Sequence, residues 1–195
     1  MARIGEVERY TSETSIEIQI NLDGTGITQI DTGIGFFDHM LDAFARHGLF
    51  DLTVKVDGDL QVDDHHTIED TGIVLGQAIA GALGRKKGIA RYGSRIIPMD
   101  ECLVLCAVDL CGRPYLSYDL RFAGEKMGAM STQMVREFFY AVSYGAMMNL
   151  HLKLLTEGND HHMCEAAFKA FGKALDMAVT EDPRITDVLS TKGTI

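Results

Sequence analysis

The chain contains one pattern twice. HHTIEDTGIVLGQAIA from His65 and HHMCEAAFKAFGKALDMA from His161 align 96 residues apart, and each opens with a histidine pair followed three residues later by Glu. Upstream, the block from His39 to Lys55 aligns with Glu137 to Lys153 at a shift of 98, so that Ala43 meets Ala141 and Leu52 meets Leu150. Further up, Asn21–Gly24 resembles the stretch ending at Gly112, at a shift of 88. The step from 98 to 96 implies a loop shortened by two residues before the second copy of the long motif. A fold for this chain must solve the same unit twice. We expect one domain over 1–195, made of two similar halves (about 1–90 and 91–195), in which one half does not stand alone.

Each copy carries the same order of elements. Helical spacing runs from Asp64 to about Leu83 and from Asn159 to about Val179, with Asp64 and Asn159 where an N-cap is wanted. Shorter helical stretches cover Gly35 to His47 and Ser131 to Tyr144. Strand-like runs fall at Ser15–Leu22, Phe50–Val56, Glu101–Leu110, Pro114–Leu120 and Asn149–Leu155. Glycines punctuate them, and the order is α+β with no long linker.

A net charge of -10 repels a phosphate backbone and argues against nucleic-acid binding, without forbidding a local basic pocket. No apolar run approaches the roughly 18 residues that span a bilayer, and the N-terminus is charged and polar from the start, so the chain reads as cytosolic. The four cysteines lack CxxC spacing and read as reduced, buried thiols; Cys102 and Cys106 share one face of a strand.

Five of the 7 histidines sit in three groups: His39, His65-His66 and His161-His162. On a helix, His65, His66 and Glu69 converge loosely, but adjacent side chains diverge by roughly 100°. Each member of a pair therefore serves a different ion. His39 aligns with Glu137, and both can bind metal, whereas His151 aligns with Thr53 and reads as a strand histidine. The expected ligands are His39, His65, His66, Glu69, Glu137, His161, His162 and Glu165, four for each of two ions. Nitrogen and carboxylate donors without thiolate suit Mn, Fe, Co, Ni or Zn. Open coordination positions point to catalysis, and H-E-x-x-H is absent.

FFDHM at Phe36–Met40, DDHHTIEDTGIVLGQA at Asp63–Ala78, EGNDHHMCEAAFKAFGKAL at Glu157–Leu175 and STKG at Ser190–Gly193 strongly resemble the imidazoleglycerol-phosphate dehydratases. The resemblance covers essentially the whole chain and points to the monofunctional form. It implies a lyase of histidine biosynthesis that converts imidazole glycerol phosphate to imidazole acetol phosphate and water. It further implies an internally duplicated α+β fold, each half a four-stranded sheet with paired helices (ribosomal protein S5 domain 2-like). Two manganese ions per active site, bound at subunit contacts in a shell of twenty-four identical subunits, are also implied. Many members have His where this chain has Glu137.

The substrate C–H bond is not next to a carbonyl, so its cleavage needs another electron sink. The family mechanism supplies one by holding the imidazole as imidazolate between the two metals, passing through a diazafulvene-like species. A carboxylate moves the proton, with Glu165 the first candidate and Glu13, which matches a position that approaches the substrate, the second. Arg91, Arg113, Lys169, Ser190 and Lys192 match the family's phosphate grip. The C-terminal tail is expected to order when the site is filled, and Arg85-Lys86-Lys87 reads as a solvated loop. Two other readings share the metal ligands. A metal-storage shell leaves the cations near the metal unexplained, and a dinuclear phosphoester hydrolase usually relies on bridging Asp groups that the paired motif lacks.

Overall fold

The computed structural model describes residues 2–195; Met1 lies outside the described residues. The first half runs β1 (Ile4–Tyr10), β2 (Thr14–Asn21), β3 (Thr28–Asp31), α1 (Gly35–Gly48), β4 (Asp51–Gly58) and α2 (His65–Leu83). The second runs β5 (Tyr92–Met99), β6 (Cys102–Asp109), β7 (Tyr115–Asp119), β8 (Lys126–Met127), β9 (Met130–Ser131), α3 (Gln133–Gly145), β10 (Asn149–Thr156) and α4 (Asp160–Val179). The two four-stranded sheets have the same topology, β1-β2-β4-β3 and β5-β6-β10-β7. In each, the last pair is parallel and the others antiparallel. The duplicated α+β architecture is thus the one the repeat demands.

Two features of the alignment acquire a physical cause. Thr28 pairs with Leu52, and Leu116 with Leu150, so the shift is still 88 at β3 and β7 but 98 from α1 and α3 through β4 and β10. The ten extra residues of the second half lie between β7 and α3 and include the β8–β9 hairpin. The shortened loop lies before α4, where 157–159 replaces the longer 59–64 connection.

Alternation decides which face of each sheet is buried. Ile16, Ile18 and Ile20 of β2 and Leu52 and Val54 of β4 point inward, as do Val104, Cys106, Leu150 and Leu152 of the second sheet. All four helices lie between the two sheets, and they pair across the halves: α1 packs on α4, and α2 on α3. Phenylalanines fill the seam, with Phe44 stacked on Phe171 (ring centroids 4.9 Å), Phe138 on Phe168 (5.1 Å), and Phe37 edge-on to Phe138 (5.3 Å). Each such ring, fully buried, contributes roughly 2–3 kcal/mol. The two helix crossings are close because glycine faces backbone. A Cβ at Gly172 would lie 2.3 Å from the Phe44 carbonyl oxygen, and one at Gly76 would lie 2.6 Å from that of Val142.

Besides the β8–β9 hairpin, three strands exceed what sequence patterning predicts. β1 and β5 are edge strands and β3 is a short one, each with only partial burial, so none shows an apolar run. Asn159 caps α4 as expected, its Oδ1 accepting the N–H groups of His161 (2.9 Å) and His162 (3.4 Å). Asp64 does not cap α2. Its carboxylate instead accepts from Ser131 N (2.5 Å) and Oγ (3.0 Å), while Asp63 takes the His65 N–H at 2.8 Å. Nor is Lys86 solvated: it is buried, with φ 54°, and burial pulls its ammonium pKa down; Lys87 pairs with Asp187 at 2.7 Å. Among the described residues no helix is long and apolar enough to cross a membrane.

Candidate metal centre and anion cavity

The helix pairing across halves builds the centre. His39 comes from α1, His161 and Glu165 from α4, and one donor atom of each lies within 4.8 Å of the others. The Nε2 atoms of His39 and His161 stand 3.5 and 3.2 Å from Glu165 Oε2. Neighbouring ligands of an octahedral ion lie about 3 Å apart when each bond is near 2.1 Å, so this spacing fits a divalent cation. Both imidazoles are half exposed, whereas Glu165 is only 7% exposed. Burial works to raise the Glu165 pKa, but the Lys169 ammonium, 2.5 Å from Oε1, outweighs it together with His39 and His161. The net shift is downward and the group stays ionised. His161 and His162 lie in the first turn of α4, directly after Asp160.

The duplicate trio is less closed. His65 Nε2 lies 3.9 Å from Glu69 Oε2 on α2. Glu137, on the α3 helix that packs against it, is not gathered with them; its Oε1 accepts from Arg136 at 2.8 Å. His151 is exposed on the outer face of its sheet beside Tyr115 (ring centroids 5.8 Å).

The second histidine of each pair turns away from the first, as adjacent helical positions require. His66 Nδ1 sits 3.0 Å from Asp59 Oδ2, and its Nε2 sits 3.8 Å from Glu13 Oε1. His162 Nδ1 sits 3.0 Å from Glu101 Oε2, and its Nε2 sits 3.8 Å from Asp100 Oδ2. A carboxylate at Nδ1 accepts a proton bond there and leaves the Nε2 lone pair for an ion. The Glu101 carboxyl is pushed down to about 2 by the Asn159 N–H, its own backbone N–H and His162. Asp59 acts oppositely on its partner and raises the His66 pKa.

The expected phosphate residues divide into two places. Arg91, Arg113, Ser190 and Lys192 line one cavity of about 720 Å³ beneath the C-terminal tail. Arg91 is held there by Asp109 (Nε to Oδ1, 2.7 Å) and donates from Nη1 to the Leu189 carbonyl at 2.6 Å. Lys169 is not part of that cavity; it lies on α4 beside Glu165.

Asp59 and Glu101 are the site residues that sequence patterning misses. For Glu101 a signal exists: at the shift of 88 it is the counterpart of Glu13, since Thr14 and Cys102 open β2 and β6. Asp59 lies in the loop where the two halves differ in length and has no such signal.

Known proteins agree with this architecture. The sequence model of the family described as imidazoleglycerol-phosphate dehydratase matches residues 32–175. The enzyme of that name from Lachnoclostridium phytofermentans is 63% identical over 195 residues, covering 100% of both chains. That from Acetivibrio thermocellus is 60% identical over 193 residues, covering 99% of each. The crystal structure of the Staphylococcus aureus enzyme superposes with a TM-score of 0.83 at 41% identity, covering 92% of this chain and 99% of that one. The Pyrococcus furiosus structure gives 0.83 at 35% identity, covering 97% and 100%. With the duplicated fold, the paired His-His-x-x-Glu helices and these matches in hand, the chain belongs to the imidazoleglycerol-phosphate dehydratases, hydro-lyases of histidine biosynthesis.

Proposed function

We propose that the dehydration depends on two manganese ions and is completed at contacts between copies of the chain in a twenty-four-subunit shell. The observation that carries this reading is the convergence of His39 and His161 on Glu165 at octahedral spacing, with His66 and His162 turned outward to face elsewhere. Ions held by these residues would supply Lewis acidity to the substrate's imidazole ring, whose electrons could then help expel the adjacent hydroxyl; loss of that hydroxyl would leave the ring system electron-poor and the neighbouring C–H acidic enough for a carboxylate to take its proton.

This chain's residues then have separate tasks. His39, His161 and Glu165 hold one ion, and His65 and Glu69 hold the other. His66 and His162 extend to ions shared with neighbouring copies. Glu137, the repeat counterpart of His39, completes the set in exchange for its Arg136 contact, and His151 stays a strand residue on the outer face of β10. Glu165 is fully engaged by two imidazoles and Lys169, which suits a ligand better than a base. Glu13 is half exposed, uncommitted, and 3.8 Å from the outward nitrogen of His66, so it takes the substrate C–H proton. The tail cavity supplies Arg91, Arg113, Ser190 and Lys192 to the phosphate, and Lys169 reaches it from another copy. Ile96, Tyr115 and Leu155, all exposed on the outer face of the second sheet, support self-association. The anion cavity also weighs against a metal-storage shell.

The test is turnover of imidazole glycerol phosphate after chelation and after manganese is restored. Activity vanishes and returns. Glu13→Gln keeps its manganese and loses turnover by at least about 100-fold, whereas Glu165→Gln loses manganese first. Turnover unaffected by chelation would remove the metal role, and an active Glu13→Gln variant would remove the proton assignment.

A further inference from the structure

We infer that Glu101 is a positioning residue that fixes the tautomer of His162, and that it does so because its two oxygens are committed to two different donors. Oε1 accepts the backbone N–H of Asn159 at 2.7 Å, and Oε2 faces His162 Nδ1 at 3.0 Å. The first donor cannot change, since a backbone amide only donates. The second atom can be donor or acceptor, and a carboxylate oxygen forces it to donate. The His162 proton therefore sits on Nδ1, and Nε2 presents a lone pair outward.

The surroundings are shaped for this contact. A Cβ on Gly158 would lie 2.4 Å from both Cγ and Oε1 of Glu101, so only glycine lets the carboxylate reach the start of α4. Asp100, just before it, turns the β5–β6 connection with φ 48°. In the first half the same task falls to a residue elsewhere in the repeat. Glu13, the counterpart of Glu101, faces Nε2 of His66, and Asp59 holds Nδ1 instead. Asp59 differs in one respect: both its oxygens approach the same nitrogen, at 3.2 and 3.0 Å. Among the described residues no second donor dictates which oxygen points where.

That difference yields a test independent of turnover. In Glu101→Gln the amide oxygen must serve Asn159 N–H, so the NH2 faces His162 Nδ1 and drives the proton to Nε2, where it blocks ligation. In Asp59→Asn the side chain is free to present its oxygen to Nδ1–H and keep the tautomer. The inference rests on the two-metal reading, so Mn2+ binding to the metal-free protein is measured directly, by electron paramagnetic resonance of free Mn2+, with His162→Ala as the reference. Glu101→Gln weakens Mn2+ binding by about 10–100-fold, matching His162→Ala, with the metal-free melting temperature unchanged, and Asp59→Asn weakens it much less. Equal losses in the two carboxamide variants would overturn the tautomer argument in favour of simple charge. Loss of binding only in proportion to lost stability, or wild-type binding by Glu101→Gln, would also overturn it. A wild-type protein that binds no Mn2+ would overturn the metal reading itself, and this inference with it.

Discussion

The carboxylate of Asp51 holds a loop rather than a ligand. It accepts the backbone N–H of Thr25 at 2.8 Å and of Ile27 at 3.1 Å, and the side-chain amide of Asn21 at 3.3 Å. Those bonds lower its pKa, led by the Thr25 and Ile27 amides. Its repeat counterpart, Asn149, meets the equivalent loop with opposite polarity, donating from Nδ2 to the Arg113 carbonyl at 2.7 Å. A carboxyl with a depressed folded pKa contributes stability that is complete above its unfolded value, about 3.9, and is lost as pH falls through the folded value. Asp51→Ala should thus cost roughly 1–2 kcal/mol near neutral pH. The gap to wild type should narrow as pH drops below about 4, read from urea melts at several pH values. A gap that is constant with pH would contradict it. At this scale the histidines were legible because residue type and repetition coincide. Asp59 was not, because a single acidic residue in a loop looks like any solvated charge. The burial of Lys86 escapes the sequence for a related reason: a basic triplet carries no mark of one member turning inward.

Elements meet as they do because particular residues leave room. Gly172 on α4 and Gly76 on α2 occupy equivalent positions in the repeat, and each faces a carbonyl of the helix from the other half. Backbone cannot yield as a flexible side chain can, so Gly172→Ala should destabilise by roughly 3 kcal/mol and move His39 away from Glu165. Gly81, also on α2, has nothing within 4 Å of where its Cβ would be. Gly81→Ala should be neutral or stabilise by about 0.5–1 kcal/mol, through its helix propensity. Thermal melts and Mn2+ content of the pair check this; a tolerated Gly172→Ala would mean that α1 and α4 do not cross so closely. The long helices, the short ones and the central strands were readable from periodicity. The edge strands β1 and β5 were not, since an edge strand with one half-covered face has no reason to be apolar. The β8–β9 hairpin was visible only as an unexplained jump in the repeat shift, whose cause is an insertion pinned by Asp160 to Ala123 N (3.0 Å) and Gly124 N (2.7 Å).

At the scale of the molecule, duplication and exchange are one fact. Each half has a complete sheet, yet its helices bury their apolar faces on helices of the other half, and the His39–His161–Glu165 trio exists only where the halves meet. A separated first half would expose Phe37 and Phe44, each now no more than 1% exposed, and a separated second half would expose Phe138, Phe168 and Phe171. Losing one such ring from a core costs about 3–5 kcal/mol, and losing several exceeds the ~5–15 kcal/mol that holds a domain of this size together. Fragments covering 1–90 and 91–195 should therefore show no cooperative melt alone, bind a hydrophobic dye, and bind Mn2+ weakly. Mixed from denaturant, they should recover a cooperative transition and the wild-type ion stoichiometry, because no covalent link is needed for α1 to find α4. Cooperative melting of either fragment alone would show that a single unit is self-sufficient. The metal centre would then be an interface added to two stable units rather than part of what makes them fold.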